Sequence, residues 1–123
     1  MITRILLVMV CALLAGCRFE MPAFDAGKLE QHTTVDGRDR AVLTDLTQEQ
    51  LEALAGWFAA HDEGWEKSYA DVGARKFVYL SRKGASVAYF NLSGDTLYAA
   101  SYSRKVTAEE RLALETILAG PNR

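Results

Sequence analysis

Apolar and polar positions divide this chain into segments with different periods. Ile5 to Leu14 is an unbroken apolar run. Leu51, Leu54, Ala55 and Phe58 then recur at i, i+3, i+4 and i+7, the spacing of one helical face. Thr47 and Gln50 stand where a capping box opens a helix, which the pattern carries to about His61. Thr107 and Glu110 repeat that signal ahead of Leu112, Leu114, Ile117 and Leu118, and Gly120-Pro121 stops the second helix. Between the helices, residues 77–81, 86–92 and 96–102 are rich in aromatic and β-branched side chains and read as three strands. Lys83-Gly84 and Ser93-Gly94-Asp95 supply the turns, so an antiparallel meander is expected. Asp36-Gly37, between Thr33-Thr34-Val35 and Ala41-Val42-Leu43, predicts a further hairpin. Residues 62–75 read as a polar loop with Trp65 and Tyr69 as packing anchors. The expected fold is α+β, a small antiparallel sheet of three or more strands packed against one or two helices.

Residues 18–31 contain Pro22 and Gly27 without clear periodicity and read as a tether, with Phe19, Met21 and Phe24 able to dock on the domain. The globular domain is then expected over 32–123, one unit with a modest core. A net charge of −2 gives no field for nucleic acid.

The N-terminal pattern adds a location. A short region with Arg4 precedes the apolar run, which is too short to span a bilayer, and small residues lead into Cys17. Leu14-Ala15-Gly16-Cys17 resembles the lipobox of bacterial lipoproteins. The resemblance implies that residues 1–16 are a signal peptide, removed once Cys17 receives diacylglycerol, and that the new amino terminus is commonly acylated. Two or three acyl chains hold a protein at a membrane where one does so only marginally. In a diderm bacterium, Arg18, in the place where an aspartate often resembles an inner-membrane retention signal, implies sorting to the outer membrane, facing the periplasm or the outside. In a monoderm the same signal implies the outer face of the plasma membrane. The short signal with one positive charge favours a diderm host, with the protein facing the periplasm. The only other cysteine, Cys11, leaves with the signal, so the mature domain is expected to carry neither a free thiol nor a disulfide.

Motifs of chemistry do not emerge. There is no His-Glu-x-x-His, no paired cysteines for zinc, no Gly-x-Ser-x-Gly elbow and no phosphate loop. His61 admits a role as base or pH sensor, against a plain reading as a histidine at a helix C-terminus. The aromatic residues between positions 57 and 102 are the best lead, because tryptophan and tyrosine dominate interface hot spots. Trp57, His61, Trp65, Tyr98 and Tyr102 are the candidate partner surface, with Tyr98 and Tyr102 expected on one face of a single strand. No catalytic residue, cofactor or metal is expected. The expected role is a non-enzymatic module that binds another envelope protein, as an assembly accessory or as a periplasmic inhibitor or immunity protein. In outline it resembles the small barrel-assembly lipoproteins, in architecture and not in motif. The alternatives are a module for cell-wall glycan or a small ligand, and a small hydrolase.

Overall fold

Among the described residues, seven strands and two helices build the domain. The computed structural model describes residues 18–68 and 76–120. The lipobox with Cys17, together with Tyr69 and Pro121, lies outside the described residues. In chain order the elements are β1 (Ala26–Val35), β2 (Arg38–Asp45), α1 (Gln48–Ala60), β3 (Glu66–Lys67), β4 (Lys76–Arg82), β5 (Ala85–Ser93), β6 (Thr96–Ala99), β7 (Tyr102–Lys105) and α2 (Ala108–Ala119). The strands form one sheet in the order β2-β1-β4-β5-β6-β7-β3, and every neighbouring pair is antiparallel. The architecture is thus the expected α+β fold, with a larger sheet.

Local chemistry accounts for the elements. Asp36 and Gly37 both take positive φ (53° and 76°), the conformation a two-residue hairpin turn requires, and they set the register of β1 on β2. Both capping boxes form. The Thr47 hydroxyl accepts from the Gln50 amide while the Gln50 side chain accepts from the Thr47 amide, and Thr107 and Glu110 do the same. The Lys83 amide in the β4–β5 turn donates to the Asp25 carboxylate, which braces the positive φ of Lys83.

The core lies between the sheet and the two helices. Val78 and Leu80 of β4, Phe90 of β5, and Leu97 and Ala99 of β6 alternate onto one face, where Leu51, Leu54, Phe58, Leu114 and Leu118 cover them. Leu112, counted in the helical pattern, instead points to solvent at 64% exposure. Gln50 ties the start of α1 to the end of α2, its Nε2 donating to the carbonyls of Ile117 (3.0 Å) and Leu118 (3.3 Å).

Three features depart from the sequence reading. First, residues 18–31 are not a tether. The Phe19 ring is buried against Trp65 (centroids 4.8 Å) and Tyr102 (5.1 Å), its amide donates to the Asp62 carbonyl, and β1 already begins at Ala26. Burying a phenylalanine offsets the cost of ordering this short strap. Second, the polar loop contains β3, which pairs Glu66 with Ser103 at the sheet edge. Third, residues 96–102 are not one strand. The chain turns at Ala100 and Ser101, pairing Ala99 with Tyr102, and Ala100 takes a positive φ of 51° while its amide donates to the Tyr89 carbonyl.

Gly27 has no room for a side chain. A Cβ there would stand 2.9 Å from Leu46 Cδ1 and 3.0 Å from Leu80 Cδ2. Gly27→Val is expected to destabilise the fold by about 3 kcal/mol through overpacking, read as a lower denaturation midpoint. An unchanged midpoint would mean that β1 does not approach the core this closely.

Candidate binding surface

The sheet has a second face, turned away from the helices, and its residues follow from the strand alternation. Glu30 pairs with Phe77 and with Leu43, Tyr79 with Tyr89, and Asn91 with both Phe77 and Tyr98. Side chains directly opposite each other share a face, so Phe77, Tyr79, Tyr89 and Tyr98 form an aromatic band over β4, β5 and β6, and Leu43 of β2 lies on the same face across Glu30 of β1. Leu43 is 58% exposed, Tyr89 46% and Tyr79 41%. Phe77 and Tyr98 are half-buried. The rings of Phe77 and Tyr79 lie 6.3 Å apart and 21° from parallel.

A polar line runs beside the band. The Tyr79 hydroxyl donates to Glu30 Oε2 at 2.8 Å, His32 Nε2 lies 3.6 Å from the same oxygen, and His32 Nδ1 lies 3.2 Å from Asp39 Oδ2. Donation to Glu30, together with burial and the carboxylate charge, holds the Tyr79 phenol above its ordinary pKa. Asn91 is the buried polar side chain of this face, and its Oδ1 has no hydrogen-bond partner among the described residues. Such an acceptor is costly to leave unmet, which marks the centre of the band as unsatisfied.

The residues singled out in the sequence divide differently. Trp65 is fully buried and Trp57 nearly so, so neither belongs to a surface. Their large rings fill the space between α1 and the sheet, which a domain this small must pack to gain stability. Tyr102 pairs with Ala99 and so lies on the helix-covered face, where it packs on Phe19. Tyr98 is on the other face, opposite Asn91. The two tyrosines are separated because the turn at Ala100–Ser101 reverses the chain between them.

His61 caps α1 and joins a clasp between elements. Its ring stacks on Trp57 (4.1 Å, 18°), its Nδ1 donates to the Trp57 carbonyl at 2.7 Å, and its Nε2 lies 3.2 Å from Glu110 Oε2. Arg104 of β7 reaches the same oxygen at 3.1 Å and donates from Nε to the Glu63 carbonyl. Burial raises the Glu110 pKa, but the hydrogen bonds from Arg104 and the Thr107 amide and the charges of Arg104 and His61 outweigh it, and the net shift is downward. The polar atoms of His61, Arg104 and Glu110 in this clasp are taken up by structural partners, whereas the buried Trp57 Nε1 has no hydrogen-bond partner among the described residues. Among the described residues no group of three or more histidines, cysteines or carboxylates is arranged to hold a metal ion.

A carboxylate with a depressed pKa stabilises the fold above the usual glutamate range and loses that contribution as pH falls through its folded value. Glu110→Gln is therefore expected to cost about 2 kcal/mol at neutral pH, for the loss of charge-assisted hydrogen bonds. Parent and variant should converge in stability as pH falls below the ordinary glutamate range and through the lowered folded pKa of Glu110. A pH-independent difference between them would contradict the charged clasp.

A groove of about 410 Å³ lies between the N-terminal strap and α1, bordered by Phe19, Met21, Phe24, Ala55 and Phe58. It is apolar, and the carboxylates of Glu20 and Asp62 stand at its border.

Comparison with protein-family models, with characterised proteins and with solved structures returns no match.

Proposed function

We propose that this chain is a non-enzymatic envelope lipoprotein that docks another envelope protein on the uncovered face of its sheet. The observation that carries this reading is the directly paired Tyr79 and Tyr89, exposed on the same face as Leu43. Exposed tyrosines beside an apolar side chain have the composition of an interface hot spot. Lipid on Cys17 would hold the domain at the outer membrane, facing the periplasm. Either an assembly accessory or an inhibitor of a periplasmic protein fits this surface.

In-cell crosslinking followed by mass spectrometry tests the proposal, with Cys17→Ser as the unanchored control. One dominant protein partner, lost on Tyr89→Ala with the fold intact, is the expected result. A partner caught only by the anchored form would favour the assembly role, and one caught by both forms the inhibitor role. Saturable binding of cell-wall glycan without a protein partner would overturn the proposal in favour of a glycan-binding module.

A further inference from the structure

The way the strap docks fixes which edge of the sheet meets the membrane. Only one residue, Arg18, separates Cys17 from the buried Phe19. Two extended residues reach at most ~7 Å. Phe19 is held by Trp65, which directly precedes β3, and by Tyr102 of β7, so the anchor leaves the domain at the β7–β3 edge. Arg18 pairs with Glu63 at 2.9 Å, which keeps the chain's exit beside that edge. Strand β2 is the opposite edge, six strand spacings away, roughly 29 Å along the sheet.

We infer that the lipidated protein stands on the bilayer by its β7–β3 edge, with β2 and the tyrosine face turned into the aqueous space. The inference rests on the reading of Cys17 as the lipidated residue. Electrostatics disfavours the flat alternative, in which the outer face lies on lipid. Among the described residues that face carries Glu30, Asp39, Asp45 and Glu66 against Lys28 and Lys105, an acidic excess that an anionic surface does not attract. The exit edge carries Glu20, Asp62 and Glu63 near Arg18, with Glu66 and Lys67 on β3 itself, and so offers acidic headgroups no net positive charge. Its contact with the bilayer is therefore imposed by the covalent anchor and not by affinity for headgroups.

The test uses the full chain purified in its lipidated form and reconstituted into phosphatidylethanolamine–phosphatidylglycerol vesicles that carry a nitroxide headgroup lipid. With the native cysteines removed or lipidated, a dye is placed through Lys67→Cys on β3 or Arg38→Cys on β2, both exposed positions. Quenching is expected to be at least several-fold stronger at position 67. Inserting a long Gly-Ser spacer between Cys17 and Arg18 should erase the difference. Equal quenching at both positions without the spacer, or stronger quenching at 38, would overturn the orientation while leaving the anchor in place. Mass spectrometry showing an unmodified Cys17 would overturn the anchor itself, and the orientation with it.

Discussion

Replacing Trp65 by alanine is expected to cost about 4 kcal/mol of folding stability, the scale of large aromatic truncations in a core. The indole is fully buried, stacks on Phe58 at 6.3 Å and packs on Phe19, and its Nε1 donates to the His61 carbonyl at 2.7 Å. Removing it leaves a cavity, an unmet carbonyl at the end of α1 and a strap without its main contact. Domains of this size hold roughly 5–15 kcal/mol in total, so the variant should be close to unfolding at physiological temperature. Chemical denaturation of parent and variant measures the effect. A loss under 1 kcal/mol would mean that Phe19 and the end of α1 are not joined through this residue. Trp65→Phe should recover part of the loss by filling most of the volume.

Truncating Tyr79 and Tyr89 together is expected to act in the opposite way, with little effect on the fold and a large one on binding. Their rings are nearly half exposed, so the double variant should lose about 1 kcal/mol or less in cross-strand packing. A hot-spot tyrosine contributes about 2 kcal/mol to binding, which is roughly 30-fold in affinity. Capture of the partner should fall by at least that factor while the denaturation midpoint stays near the parent's. A variant that unfolds would place these rings in the core, and one that still captures the partner fully would move the interface elsewhere.

Local chemistry was the legible part of this fold. Thr47 with Gln50, Thr107 with Glu110, and Asp36-Gly37 each act within four residues, and the helices and hairpin appear where those signals lie. The turn at Ala100–Ser101 was not legible, because the residue that takes the positive φ is an alanine, which does not favour it, and a single serine beside it is a weak turn signal. Its positive φ at Ala100 is held by pairing with β5, a long-range contact. Strand β3 is only two residues long and exists because β7 offers an edge. Docking of the strap depends on a cleft between Trp65 and Tyr102 that forms only once the sheet is complete.

The candidate surface was legible in composition but not in membership. Aromatic enrichment pointed to the segment that carries both the buried rings and the exposed ones. Which rings are wet depends on which face the helices cover, and no local pattern states that. Trp57 and Trp65 went inside, whereas Tyr79 and Tyr89 stayed out beside Glu30 and His32. Alternation of Glu30, His32 and Thr34 about the Asp36-Gly37 turn could have placed the polar line, had β1 been extended toward Ala26.

Site-specific photocrosslinking in living cells tests the central claim most directly. A photoreactive side chain is placed at position 89 on the outer sheet face and, in a second strain, at Leu112 on the exposed side of α2. The account predicts one discrete protein adduct from position 89 and none from position 112. An adduct from position 112 alone, or identical adducts from both, would contradict docking on the sheet.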